Sequence, residues 1–233
     1  MATGNLFLDD LQPKDLAALQ PHLQRVQLAR DDVVTREGEP VVRVVLPVDG
    51  IVSVVLEMKD GTAIETRTIG REGGFGLLHT LGSAISYETV IVQISGEGFA
   101  IGRRELAAQA ARSPSLTEAI VRHAQAALVQ AAQSVACNAL HDVPQRLCRW
   151  LLMTEDRLRR PQLPLKQHHL AAMLGVQRTT VSAAAAELQR QGAIGYSRGL
   201  IVVQDRRQLL DTACECYNAV EERARWLRQD ADG

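Results

Sequence analysis

The sequence lacks the features that mark secreted proteins, membrane proteins and enzymes with aromatic-lined pockets. Only 3% of its 233 residues are aromatic, and this scarcity favours close packing of small apolar side chains over an aromatic-lined catalytic pocket. No apolar run reaches the roughly 18 residues that a membrane helix needs. The first ten residues, MATGNLFLDD, have neither the basic start nor the apolar stretch of a signal peptide. We therefore expect a cytoplasmic protein without a membrane partner.

Cysteine is also scarce, and all four cysteines lie late in the chain: Cys137, Cys148, Cys214 and Cys216. Reduced thiols are the expectation in the cytoplasm. Residues two apart on a helix project about 200° apart, so Cys214 and Cys216 on the predicted C-terminal helix would be poorly placed to share a metal. The sequence thus predicts no metal site. Packing in the interior is the main interpretation of this pair, and redox chemistry is the alternative.

The net charge of −1 hides an uneven distribution of charge along the chain. Residues 142–233 hold 14 Lys/Arg against 11 Asp/Glu. Between residues 166 and 207 the only acids are Glu187 and Asp205, and the bases are Lys166, Arg178, Arg190, Arg198, Arg206 and Arg207. A basic stretch in a neutral protein is typical of a surface that binds phosphates, and an ordinary solvated surface is the alternative.

The N-terminal region, residues 1–114, is predicted to be rich in strands after short helices over residues 9–29. Short β-branched runs follow, each bounded by turn residues, at 33–34, 41–47, 51–58, 63–69, 89–95 and 99–102. Strands at even spacing, about ten residues apart, are typical of an antiparallel barrel or jelly roll.

A long helix is predicted next, over residues 115–141. Ser115 with Glu118 three residues later has the pattern of a capping box, and residues 116–140 contain neither Gly nor Pro. Such a helix would be roughly 36 Å long. Its small and apolar positions could pack on the protein's own barrel or form a dimer interface with a second copy. We favour the interface, formed by Ile120, Ala124, Ala127, Leu128, Ala131 and Val135.

The third region, residues 142–233, contains the pattern of a helix-turn-helix. Pro144 begins a helix over 143–159, and residues 167–186 then read QHHLAAMLGVQRTTVSAAAA. Ala171 is small where two helices would cross, and Gly175 supplies the turn. Residues 193–203 predict two short strands that turn at 197–199, as a wing. A C-terminal helix is expected from about 208 to 228.

The second helix of this motif, residues 177–191, would be the recognition helix. Its N-terminal residues would face base edges in the major groove. Arg178 suits guanine because its guanidinium can donate to O6 and N7 together. The other predicted DNA contacts are residues that can bind a base edge or a phosphate: Lys166, Gln177, Thr179, Thr180, Ser182, Ser197 and Arg198.

In this order, the three regions resemble the Crp/Fnr family of transcription regulators. The most specific matches are the segments 174–181 (LGVQRTTV), 141–147 (HDVPQRL) and 201–203 (IVV). The resemblance implies an α+β protein: a cyclic-nucleotide-binding-like β-roll, a long dimerisation helix and a winged helix-turn-helix. It also implies a homodimer that binds palindromic double-stranded DNA and contacts RNA polymerase, with the sensor region controlling the recognition helices. Arg178 matches the family's guanine-reading arginine.

Several positions depart from the family pattern. Many members have glutamate where Thr179 stands, and a second basic reader where Ala183 stands. Leu77 lies about where cyclic-AMP binders have a glutamate, and no arginine occurs between Arg71 and Arg103. We therefore predict that cyclic AMP is not bound in the usual way, that no cofactor is required, and that any small-molecule effector is of another kind.

Other sensor chemistries find little support in the sequence. An iron–sulfur sensor of this family needs N-terminal cysteines, which are absent. His79 is a candidate haem ligand, with a structural role as the main interpretation.

Two other classes of function compete with a DNA-binding regulator. One is a ligand-binding signalling module whose C-terminal domain binds protein. The other is a jelly-roll metalloenzyme, which would need clustered ligands on the strands, whereas His22 and His79 are far apart in the sequence. We expect no enzymatic activity.

Overall fold

Two antiparallel sheets form the strand-rich region that the short β-branched runs predict. The computed structural model describes residues 2–61 and 63–229. One sheet has the strand order β1-β7-β3 and the other β2-β6-β4-β5. The strands are β1 (Gln24–Leu28), β2 (Val33–Thr35), β3 (Arg43–Pro47), β4 (Ile51–Glu57), β5 (Ala63–Ile69), β6 (Thr89–Ile94) and β7 (Gly96–Gly102).

The helices and three further strands complete the chain. The helices are α1 (Leu6–Asp9), α2 (Pro13–Leu19), α3 (Arg103–Ala110), α4 (Pro114–Leu140), α5 (Val143–Leu158), α6 (Gln167–Leu174), α7 (Arg178–Arg190), α8 (Arg206–Thr212) and α9 (Cys216–Gln229). The strands β8 (Gln162–Leu163), β9 (Ile194–Ser197) and β10 (Leu200–Val203) form a small sheet in the order β8-β10-β9. The predicted α+β class, with a β-roll followed by a long helix and a winged helix-turn-helix, is confirmed. Among the described helices, none has both the length and the apolar character to cross a membrane.

The described residues divide into two compact units. One contains the residues up to 55 together with 68–128, and the other contains 56–67 and the residues from 129 onward. In the first unit, one core cluster joins apolar side chains of α1, α2, β3, α3 and the start of α4. A second cluster lies among the strands and includes Val52, Phe75 and Val90.

The start of the long helix α4 differs in detail from the prediction. The hydroxyl oxygen of Ser113 accepts a hydrogen bond from the Leu116 backbone N–H at 3.4 Å, so Ser113 acts at the N-terminus in place of Ser115. Ser115 instead donates to the Asp15 carboxylate at 2.6 Å, and Ser113 also donates to it. Of the predicted interface residues, Ile120 is fully buried in the core of the first unit, which removes it from the surface that a second chain could contact.

Two predicted helical stretches are interrupted. Residues 24–28, predicted to be helical, form β1, which pairs with β7 from Gln24↔Ala100 to Leu28↔Gly96. The predicted C-terminal helix consists of α8 and α9, separated at residues 213–215. The expectation that Cys214 and Cys216 project apart on one helix is therefore wrong. Their sulfur atoms and donor atoms of Cys137 and His141 all lie within 4.8 Å of one another.

Candidate nucleic-acid interface

The two helices of the predicted helix-turn-helix, α6 and α7, are joined by a tight turn at Gly175. Gly175 has φ +60° and ψ +37°, the left-handed conformation that ends a helix at low cost only for glycine. The Val176 backbone N–H donates to the Ala171 carbonyl at 3.1 Å and closes the turn. The predicted role of Gly175 is thus confirmed by its backbone conformation.

Apolar side chains hold the two helices together as their spacing predicts. Leu170, Ala171 and Leu174 of α6 are buried, as is Val181 of α7. Further along α7, Ala184, Ala185 and Leu188 are buried as well. The N-terminal part of α7 is exposed to solvent. Its residues Arg178, Thr179 and Thr180 are exposed, as is Gln177 at the N-cap.

An arginine of α5 supports this motif, and the sequence argument did not assign it a role. Arg146 is buried, and its guanidinium donates to the Leu174 carbonyl at the C-terminal end of α6. A cation at a helix C-terminus stabilises the unpaired carbonyls there. The segment 141–147, singled out for its family resemblance, contains the residue, but only the fold shows its target. Asp142 caps the N-terminus of α5, because its carboxylate accepts a hydrogen bond from the Gln145 N–H at 2.9 Å.

The wing is a two-residue hairpin between β9 and β10. Ser197 pairs with Leu200, and Arg198 and Gly199 at the turn have φ +49° and +78°. Positive φ at both central residues is the type I′ geometry that matches the twist of the flanking strands. The predicted turn at 197–199 is confirmed, and the geometry holds the Arg198 side chain exposed at the tip.

An open cleft of about 430 Å³ lies between the N-terminal ends of α6 and α7 and the wing. Four predicted contact residues line it, Lys166, Arg178, Ser197 and Arg198, together with Gln167, Tyr196 and Gly199. These seven residues include three cations and no carboxylate. The arrangement suits a polyanion such as a nucleic-acid backbone.

The predicted contacts Gln177, Thr179, Thr180 and Ser182 are not among the residues that line the cleft. Ser182 is half-buried, and its hydroxyl donates to the Arg178 carbonyl of its own helix at 2.8 Å. Its single proton is therefore already used, and a phosphate, which only accepts, would require the hydroxyl to rotate.

Tyr196 is a cleft residue that the sequence argument missed. Its hydroxyl donates to the Leu165 carbonyl at 3.3 Å, and burial raises the pKa of the phenol, so the group stays a protonated donor. Its place on a wing strand was visible in the sequence, but not the face that it occupies.

Two other arginines of the basic stretch are held in ion pairs with carboxylates of the same chain. Arg190 pairs with Glu187 at 2.5 Å, and Arg206 pairs with Glu155 at 2.5 Å and Asp156 at 2.8 Å. Of the six bases this leaves Lys166, Arg178 and Arg198, which line the cleft, and Arg207, which is exposed but is not among the lining residues.

The long helix α4 exposes an apolar stripe formed by Val121, Leu128 and Val135. Their exposed fractions are 43%, 71% and 71%, and the seven-residue spacing places them on one face of the helix. Three predicted interface residues, Ala124, Ala127 and Ala131, are half-buried. Val121 was not predicted, although the heptad spacing is visible in the sequence.

The two residues considered above for effector binding, Leu77 and His79, lie inside the first unit. Leu77, at the position compared with a nucleotide-binding glutamate, is fully buried in the core cluster. His79 is buried, with its ring centroid 5.6 Å from Phe75 and 6.1 Å from Tyr87. Packing thus accounts for the position of His79.

Helix-turn-helix, wing and cationic cleft together define a winged helix-turn-helix DNA-binding domain. Residues 145–212 match the Crp-like helix-turn-helix domain. The chain is 26% identical over 218 residues to the CRP-like cAMP-activated global transcriptional regulator of Mycobacterium tuberculosis, covering 90% of this chain and 96% of that regulator. Residues 145–212 thus carry a Crp-like helix-turn-helix domain, and most of the chain is similar to a CRP-like transcription regulator.

Solved structures show the same fold. FixK2 from Bradyrhizobium japonicum has a TM-score of 0.70 at 20% identity, covering 82% of this chain and 98% of that one. CLP of Xanthomonas campestris, described as a c-di-GMP responsive global regulator, has a TM-score of 0.66 at 18% identity, covering 82% and 99%. At these identities the likeness concerns the fold.

Proposed function

We propose that this Crp-like regulator acts as a homodimer that binds palindromic DNA through the recognition helix at residues 177–191. The observation that carries the proposal is the cleft in which Lys166, Arg178 and Arg198 meet without a carboxylate. Because α7 leaves its N-terminal residues exposed beside this cleft, the helix can enter a major groove while the wing approaches the backbone.

In this arrangement, base reading and backbone binding fall to different residues. Arg178 donates to a guanine, and Thr179 contacts a thymine methyl group or a phosphate. Lys166, Ser197 and Arg198 bind phosphates and fix the position of the domain. Gln177 and Thr180 are exposed beside Arg178 and supply further polar contacts.

The second copy packs on the apolar stripe of α4. The heptad spacing of Val121, Leu128 and Val135, with Ala124 and Ala131 at the alternating positions, supports a close pairing of two helices. In this proposal, residues 1–114 form the sensor region, 115–141 the dimerisation helix and 142–233 the DNA-binding domain. RNA polymerase is the further partner that a transcription regulator of this class would contact.

The sensor region does not use the standard recognition of cyclic AMP. Leu77 offers no carboxylate for a ribose, and its burial in the core supports a packing role. The Mycobacterium tuberculosis relative is described as cAMP-activated and the Xanthomonas campestris regulator as c-di-GMP responsive. An effector of this chain would therefore be recognised by other residues.

The test is selection of bound fragments from a random-sequence DNA pool by the purified ligand-free chain. We expect enrichment of a palindrome whose half-sites are about one helical turn apart. We also expect affinity to fall steeply with salt, as phosphate contacts require. Enrichment of no sequence, together with salt-insensitive binding to a protein partner, would instead favour a signalling module that binds protein.

A further inference from the structure

Four side chains that commonly bind metals meet in the second unit, and none of them lines the DNA cleft. Cys137 comes from the last turn of α4, and His141 follows that helix directly. Cys214 lies in the break between α8 and α9, and Cys216 is the first residue of α9. Each contributes one donor atom, and the four atoms all lie within 4.8 Å of one another. The three cysteines are buried and none is in a disulfide.

Two distances between donor atoms match the edges of a coordination tetrahedron. The sulfur atoms of Cys137 and Cys214 are 3.5 Å apart, and the Cys216 sulfur is 3.6 Å from Nδ1 of His141. A disulfide would need about 2.05 Å. With Zn–S near 2.3 Å and Zn–N near 2.0 Å, the donors of a tetrahedral zinc site are about 3.5–3.8 Å apart. Two of the six donor–donor distances therefore match this geometry, and all six lie within 4.8 Å.

Neighbouring groups orient the donors as they do around metal ions. Nε2 of His141 lies 3.1 Å from a carboxylate oxygen of Glu215. When Nε2–H donates to that carboxylate, the lone pair of Nδ1 faces the sulfur atoms, the arrangement that fixes a metal-binding histidine. The Gln133 side chain donates to the Cys216 sulfur at 2.9 Å, which favours a thiolate there.

The charge around the cluster also suits a thiolate-rich site. Arg146 and Arg149 of α5 are both buried. Arg149 interacts electrostatically with Cys137, and Arg146 with Cys137 and Cys214. Buried cations require anionic partners. Three thiolates and a divalent ion leave one net negative charge, which these guanidinium groups offset.

We propose that Cys137, His141, Cys214 and Cys216 bind one zinc ion as a structural site. Soft thiolate donors select zinc over harder ions such as magnesium, and four protein ligands leave no open position for catalysis. An iron–sulfur cluster would distribute the thiolates over several irons, whereas these four donor atoms lie within 4.8 Å of one another. The bound ion joins the end of α4 to the connection between α8 and α9.

The first test measures metal content in the full-length chain expressed with zinc. We expect about one zinc ion per chain in the wild type and at least tenfold less in Cys214→Ala, because three ligands bind zinc far more weakly than four. Cys148→Ala is the matched control. Cys148 is buried outside the cluster, and burial raises the pKa of its thiol to about 12. The Cys148→Ala variant should therefore have the zinc content of the wild type.

A second measurement does not depend on variants that fold poorly. Metal-free wild-type protein is titrated with Co²⁺, which should give the intense absorption of tetrahedral thiolate coordination and lose it when equimolar Zn²⁺ is added. Glu215→Ala changes an exposed residue and should weaken zinc affinity about 10–100-fold without unfolding the chain.

Two results would overturn the proposal. One is a wild type that contains no zinc and gives no tetrahedral Co²⁺ spectrum. The other is a purified protein that contains iron and acid-labile sulfide in place of zinc. Neither measurement involves DNA, so failure of the zinc site and failure of the proposed DNA reading are distinguishable.

Discussion

At the level of single residues, Arg178 is the residue expected to determine base preference as well as DNA affinity. Its guanidinium is exposed at the first turn of α7. We expect Arg178→Ala to weaken binding to the selected site by roughly 1–3 kcal/mol and to relax base choice at one position per half-site. Fluorescence anisotropy with the selected site and its single-base variants measures both effects. A variant with unchanged base preferences would show that α7 does not dock as proposed.

Arg198→Ala is the matched comparison, because it removes a cation from the other side of the same cleft. As a phosphate contact, Arg198 should affect all DNA sequences to a similar extent and reduce the salt slope by about one. Arg190→Ala provides a neutral control, since Arg190 is already paired with Glu187 at the far end of α7.

Single residues were predictable from the sequence where position in a motif decides their role. Lys166, Arg178 and Arg198 were predicted as contacts and line one cleft, and Gly175 has the expected left-handed conformation. Arg146 and Tyr196 were not assigned roles, because their partners, the carbonyls of Leu174 and Leu165, lie 28 and 31 residues away. Such pairs depend on tertiary structure and leave no local pattern.

At the level of elements, the turn between α6 and α7 can be tested through stability. Gly175→Ala places a Cβ at φ +60°, which costs an L-residue roughly 1–2 kcal/mol. No atom lies within 4 Å of that Cβ, so the loss would come from backbone conformation rather than from a clash. Denaturant unfolding of Gly175→Ala and Gly175→Asn makes the comparison, since Asn tolerates this region better. Equal losses for the two variants would contradict the argument.

The helix α4 allows a test of assembly. Leu128 is 71% exposed at the centre of the apolar stripe, so Leu128→Glu should place two carboxylates against each other in a dimer and yield monomers. Sedimentation equilibrium measures the change in mass, and Leu128→Met, which keeps an apolar side chain, should leave the dimer intact. A dimer that persists in Leu128→Glu would move the interface to another surface.

Elements with a strong period were predictable, and those that depend on distant partners were not. Residues 24–28 contain Val26 and Leu28 on the core side, and their alternation is too short to outweigh the preceding helical spacing. Only the ladder with β7, some 70 residues away, shows them to be a strand. The break at 213–215 contains neither Gly nor Pro, so the local sequence predicts an unbroken helix. Because the two cysteines were placed on that helix, the cysteine cluster was not predicted.

At the level of the whole molecule, the sensor region should respond little to cyclic AMP. We expect millimolar cyclic AMP to leave both the thermal midpoint and the DNA affinity of the wild type unchanged, because a ligand that does not bind cannot shift either equilibrium. Differential scanning fluorimetry and anisotropy test this directly, with cyclic di-GMP as a comparison ligand. A concentration-dependent rise in midpoint with cyclic AMP would show that the pocket recognises the nucleotide without a carboxylate at Leu77.

The contact between Cys137 and Cys214 joins residues 77 positions apart. That interval contains α5, the helix-turn-helix and the wing. An ion held by both cysteines would therefore close most of the DNA-binding domain into a covalently and metal-linked loop. In the chain-entropy description, a crosslink over such an interval removes conformations from the unfolded state and is worth about 4.5 kcal/mol. The stability of the DNA-binding domain would then depend on the supply of zinc as well as on the packing of its core.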